Sequence, residues 1–204
     1  HYPSGGSITY LRADLHNPEV IMLDIPAEHK RVDFVFGFPV CSDLAVSGAA
    51  HFAKKRAINR DFQRLAASHA IAVAKFAGIY GCPYMIENPV SVLSTLWRKP
   101  NHTFHPFEYG GYIPESEAKH PTWPDHIPER DAYSKKTCLW TKDFKMPEKK
   151  PVNCESFGSS TQHRKLGGKS AKTKNIRSAT PRGFANAVLQ SNFPWLTINA
   201  GAAK

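Results

Sequence analysis

Apolar and polar positions in the first ninety residues follow two rhythms. Val32-Asp33-Phe34-Val35-Phe36-Gly37-Phe38-Pro39 is a mostly apolar run ending in a turn, the pattern of a strand buried on both faces of a parallel sheet. From Asn59, a candidate N-cap, to Tyr80 the apolar positions Phe62, Leu65, Ala66, Val73, Phe76, Ala77 and Tyr80 recur at three- and four-residue steps, with Gly81 as a stop. That spacing predicts one long amphipathic helix. Pro83-Tyr84-Met85-Ile86-Glu87 then reads as a short strand closed by Asn88-Pro89, and Ser7 to Leu11 as an earlier strand running into Ala13-Asp14-Leu15. Strand, helix and strand in this order predict an α/β fold with a parallel sheet.

Later parts of the chain differ. Residues 98–135 are rich in Pro, His and aromatics with little periodicity, and are expected to be loop-dominated. Thr137-Cys138-Leu139-Trp140-Thr141 predicts a strand, 142–175 a basic irregular stretch, and Pro181 to Ser191 a helix. Thr180 is the expected cap of that helix, and Phe184, Val188 and Leu189 its apolar stripe.

Composition narrows the class. The 204 residues suffice for one main core, with or without a small appendage, and 41% hydrophobic with 22% charged residues is the balance of an ordinary globular protein. No apolar run reaches the roughly 18 residues that a membrane span needs. The four cysteines form no CxxC pair and are too sparse for a disulfide scaffold, which fits a reducing, intracellular setting. Cys138, Cys154 and His163 match no compact metal-ligand spacing, so no metal is expected. The chain opens on His1 without a signal peptide, which suggests that N-terminal sequence is missing.

The net charge of +10 is uneven. Residues 1–90 carry nine Lys and Arg against eight acids, whereas 142–182 carry eleven against three. A polyanion-contacting surface and a solvated linker both fit that basic stretch.

The chemistry follows from topology. If the strands at 32–39 and 83–87 are parallel, their C-terminal ends share one sheet edge, where open α/β sheets bind ligands. Cys41 and Glu87 then stand on neighbouring strands roughly 5 Å apart. A thiol and a carboxyl so placed can grip one small planar substrate. As alternatives, Cys41 is a small buried hydrophobe and Glu87 a surface acid or cap.

Phe38-Pro39-Val40-Cys41-Ser42 followed by Leu44-Ala45-Val46-Ser47-Gly48 resembles the Pro-Pro-Cys nucleophile loop of DNA cytosine-5 methyltransferases, especially the compact ones of bacteriophages. Glu87-Asn88-Pro89-Val90 resembles the Glu-Asn motif of that family. Gln162-His163-Arg164 resembles the start of its Gln-x-Arg-x-Arg motif, and Arg177 to Arg182 its Arg-x-x-Thr segment. Val40 replaces the second Pro and Leu166 the second Arg. No Phe-x-Gly-x-Gly loop stands upstream, and Ser4-Gly5-Gly6-Ser7 lies too close to Ala13-Asp14-Leu15 to replace it. The first strand and glycine loop are therefore expected to have been removed or lost.

The resemblance implies a Rossmann-like parallel or mixed sheet at 1–97 and 176–204, with a loop-rich basic target-recognition region at 98–175. It implies S-adenosylmethionine as cofactor, contacted by Asp14 and Pro39, and DNA as partner, in the cytoplasm of a bacterial host. Cys41 would be the nucleophile, Glu87 the acid and Arg164 a cation favouring thiolate. Ser42, Asn88, Gln162, Lys165, Lys169, Arg177 and Arg182 would contact the substrate, with Asn88 also holding the loop. The aromatic loop 101–135 would read or replace bases, or else form a lid packed on the core. Two other readings stay open: an inactive binding protein of this fold, and an enzyme acting on a free pyrimidine nucleotide.

Overall fold

A computed structural model describes Asp14, His16, residues 31–154, Leu166 and residues 170–194. The expected strand at Ser7 to Leu11 lies outside the described residues. The chain divides into two compact units, His1–Thr103 with Thr137–Phe144, and Phe104–Lys136 with Lys145–Lys204. This division differs from the expected one: residues 176–204 fall in the second unit, and the strand at 137–142 in the first.

The first unit is α/β. Strand β1 (Val35–Gly37) pairs in parallel with β2 (Tyr84–Pro89), and β2 pairs antiparallel with β4 (Thr137–Lys142) over six residue pairs. With β3 (His102–Phe104) the sheet runs β1-β2-β4-β3. It is mixed, not parallel, and compatible with a Rossmann-like fold. Helix α1 (Phe52–Ile58) precedes helix α2 (Phe62–Tyr80), and a single turn, α3 (Leu93–Leu96), follows β2. Helix α2 buries a stripe of small residues, Ala66, Ala67, Ala70, Val73 and Ala77, on Tyr84, Ile86, Cys138 and Trp140. Small side chains let helix and sheet approach closely: a Cβ on Gly37 would lie 2.7 Å from Val73. Gly81, at φ +62°, ends the helix in the left-handed conformation.

Local signals explain where pattern reading went astray. The first strand covers three residues rather than 32–39, and Phe36 and Phe38 are 44% and 54% exposed, so the run is not buried on both faces among the described residues. Asn59 is not the cap of α2. Its Oδ1 accepts from the Asp61 N–H (2.9 Å) in a turn between two helices.

The second unit is built on aromatics. Phe104, Tyr109 and Phe184 pack together, Phe104 and Phe184 stacked at 3.8 Å and Tyr109 edge-on to both. Each such ring pair adds about 1 kcal/mol beyond the area it buries. Helix α4 (Ala171–Ser178), within the stretch expected to be irregular, is capped by Ser170, whose Oγ accepts from the Thr173 N–H. Helix α5 (Arg182–Asn192) carries Phe184. Thr180 is exposed and does not cap α5; the cap comes from the remote Asp131, whose buried carboxylate accepts from the Gly183 N–H (2.9 Å). Burial pushes the Asp131 carboxyl above its ordinary value.

Two outcomes are expected. A Cβ on Gly183 would lie 2.4 Å from the Tyr109 carbonyl oxygen, so Gly183→Ala should destabilise the second unit by about 1–3 kcal/mol, read as a lowered Tm. Because the folded state raises the Asp131 pKa, this group costs stability as pH rises above its ordinary value of 3.8. Asp131→Asn keeps an oxygen for Gly183, and Tm measured upward from about pH 4 should fall less steeply in the variant than in the native chain.

Candidate active site

The parallel register, Val35 opposite Tyr84 through Gly37 opposite Ile86, carries the chain after β1 to the end of β2 that holds Glu87 and Asn88. There the two segments are tied directly. Asn88, 1% exposed, donates from Nδ2 to the Pro39 carbonyl (3.1 Å), two residues before Cys41. Cys41 opens a tight turn, its carbonyl accepting from the Leu44 N–H (3.0 Å) and the Ala45 N–H (2.8 Å). Leu44 is fully buried in the core and plugs the turn into the unit. Beyond it the chain is zipped to the segment after β2: Val46 N–H donates to Val90, Val92 N–H donates to Leu44, and Ala45 bridges Ser91.

Helix α1 holds the same turn from another side. Lys55 Nζ donates to the Ser42 carbonyl (3.0 Å) and to the Asp43 carboxylate, and Gln63 Nε2 donates to the Asp43 carbonyl (3.5 Å). A shallow hollow beside the turn is lined by Asp43, Lys55, Ile58, Asn59 and Phe62. Backbone on both sides of Cys41 is thus fixed by groups from three elements.

Burial separates the cysteines. None of the four forms a disulfide. Cys82 and Cys138 are sealed in the core, and burial pushes the Cys82 thiol up. Cys41 and Cys154 keep partial exposure. Cys41 is therefore not the small core hydrophobe of the alternative reading. Glu87 is also partly exposed; alternation along β2 turns Tyr84, Ile86 and Asn88 to the helix-covered face and Met85 and Glu87 to the other. Cys41 and Glu87 share the C-terminal edge of the β1–β2 pair, and Asn88 is the side chain that bridges the two segments.

No family model, no curated protein and no solved structure matches this chain.

Other expected site residues scatter. Asp14 is exposed; its Oδ1 accepts from the His16 backbone N–H (3.0 Å) and lies 2.8 Å from His16 Nδ1, and these bonds hold its carboxyl below the ordinary value. His16 in turn reaches Ser68 Oγ on α2 (2.9 Å). Arg164, Gln162, Lys165 and Lys169 lie outside the described residues. Arg177 sits half-exposed in α4 of the second unit, its backbone carbonyl accepting from Lys135. Arg182, an expected DNA contact, instead donates from both terminal nitrogens to the Glu117 carbonyl and from Nη2 also to the Ala118 carbonyl. Leu166 occupies no arginine-like position: it is 7% exposed and packs with Ile127, Tyr133 and Ile176.

Of the two roles expected for the aromatic loop, three of its rings take the core one. Phe104, Tyr109 and Tyr133 are at most 1% exposed, so these rings build a core and are not available to stack on bases. Burial depresses the His105 and His120 pKa values, and His120 Nδ1 accepts from the Thr122 and Trp123 N–H groups. Pattern reading missed Lys55. The one signal for it was its helical spacing from Phe52, the other inward residue of α1.

Replacing Asn88 by Ala leaves the Pro39 carbonyl without its partner, at a cost of about 1–3 kcal/mol. Alkylation by iodoacetamide, read by peptide mapping, should then become faster at Cys41 and stay unchanged at Cys82; equal rates at Cys41 in both proteins would mean that the bond does not hold the turn.

Proposed function

We propose that this chain is a cytosine-5 methyltransferase acting on DNA through a covalent Cys41 adduct. The observation that carries the reading is the Asn88 to Pro39 bond. It joins, inside the fold, the two segments whose sequences resemble the nucleophile loop and the Glu-Asn motif. Partial exposure of Cys41 and Glu87 at one sheet edge supports it further.

Carbon 5 of cytosine is too weak a nucleophile to accept a methyl group while the ring is aromatic. Attack of the Cys41 thiolate on carbon 6 forms an S–C bond and opens the 5,6 double bond. Proton donation from Glu87 to ring nitrogen 3 takes up the developing negative charge and leaves an enamine with electron density at carbon 5. Once carbon 5 is methylated, loss of its hydrogen to a base and cleavage of the S–C bond restore the ring and the thiolate. A target in duplex DNA must first leave the stack, at a cost of a few kcal/mol that contacts elsewhere offset.

The methyl donor of this reading is S-adenosylmethionine, whose adenine the exposed Asp14 would contact. Asp14 Oδ1 is engaged by His16 and the Pro39 carbonyl by Asn88, and the sequence has no glycine loop. The steps derived above are accordingly those on the base.

Incubating the chain with S-adenosylmethionine and a duplex carrying 5-fluorocytosine should give a covalent adduct by mass spectrometry. Cys41→Ser should abolish it and leave DNA affinity largely intact. Native protein that binds the duplex without forming the adduct would instead be an inactive binding protein. Turnover of free dCMP with none of DNA would move the reading to a nucleotide enzyme.

A further inference from the structure

Near-neutrality over residues 1–90 conceals a separation of charge. Five of the eight acids, Asp14, Glu19, Asp24, Glu28 and Asp33, precede β1 in sequence. Between Gly48 and Ala74 the chain carries Lys54, Lys55, Arg56, Arg60 and Arg64 against the single acid Asp61. This run begins on α1, which the 3-10 helix Val46–His51 separates from the Cys41 turn.

Helix α1 is unusual in what it buries. Its seven residues include none that is buried, no side chain caps its N-terminus, and only Phe52 and Lys55 are partly covered. A helix this short has little stability of its own. Its contacts include the Phe52 ring against Phe62 at 5.9 Å, and Lys55 reaching Ser42 and Asp43 on the Cys41 turn. The rest faces outward, with Ile58 80% exposed and Lys54, Arg56, Arg60 and Arg64 all exposed. Arg56 donates to Gln63, and Arg64 lies 3.7 Å from Asp61. Lys54 and Arg60 form no ion pair among the described residues.

Several cations of the second unit have internal partners. In the second unit Lys149 pairs with Glu108, Lys150 lies over the Tyr112 ring, and Arg182 serves backbone carbonyls. These contacts are internal to that unit. In the run on and after α1, Lys55, Arg56 and Arg64 have partners within their own unit, Lys54 and Arg60 have no ion pair among the described residues, and Lys55 couples its helix to the turn that carries the thiol.

We propose that the outward surface of α1 and the turn after it, with Lys54 and Arg60 at its centre, binds the phosphate backbone of duplex DNA. The inference rests on reading the chain as a DNA-modifying enzyme and names the surface that would position the duplex beside Cys41. Each neutralised phosphate releases condensed counterions, so such contacts are visible in the salt dependence of binding. Lys55 acts here as a positioning residue, joining the helix to the Ser42 and Asp43 side of the turn.

The test is fluorescence anisotropy of a labelled cytosine-containing duplex with the full chain, titrated at several salt concentrations. For the double variant Lys54→Gln/Arg60→Gln, the slope of log K against log salt should become shallower by about 2, near 0.9 for each lost phosphate contact. Lys75→Gln, an exposed charge change on α2, should leave the slope as it was. An unchanged slope in the double variant overturns the inference; if the native chain still traps 5-fluorocytosine DNA, the proposed chemistry survives that failure. A shallower slope without any adduct supports the DNA surface and overturns the chemistry. Absence of duplex binding by the native chain overturns both.

Discussion

A buried amide holds the candidate site together. Asn88 lies forty-seven positions beyond Cys41 in the sequence, and its Nδ2 to Pro39 carbonyl bond fixes the end of β2 to the loop leaving β1. Pro39 is half-buried, and the Asn88 amide gives its carbonyl a donor from inside the fold. The path of the loop is thereby pinned at Pro39. Leu44 in the core and the pairing of 44–46 with 90–92 extend that path past the thiol. Pre-organisation of this kind is what a nucleophile needs, since a loop that wandered would lose the benefit of proximity.

The second unit solves another problem with similar means. Its irregular stretches are held by stacked and edge-on rings, by Asp131 at the start of α5, and by glycines where backbones come within van der Waals reach. Residues that composition marks as polyanion-binding are partly consumed in this work. Arg182 and Lys149 satisfy carbonyls and a carboxylate of their own unit, which lowers the charge left for a partner.

Periodicity made α2 legible, because it buries one face on the sheet and Gly81 marks a stop that only its left-handed backbone requires, while β2 and β4 were legible as short runs that are largely buried. The strand-helix-strand order also led to the shared edge of Cys41 and Glu87. Antiparallel pairing of β2 with β4 was not legible: it joins segments about fifty residues apart, and nothing local in Thr137–Lys142 encodes direction. The aromatics of 101–135 left base reading and packing on the core both open, because rings suited to stacking on bases are equally suited to a core, and only burial separates the two. For Thr180 the missing knowledge was tertiary, since a distant carboxylate took the capping position.

The account stands or falls on the facing of two groups at one edge. A crystal structure of the chain bound to a duplex with its target cytosine out of the stack measures this directly. The account predicts Cys41 Sγ at carbon 6 and the Glu87 carboxyl at ring nitrogen 3 of the same base. A base bound elsewhere, or a Glu87 carboxyl on the side of the sheet away from the thiol, would contradict it.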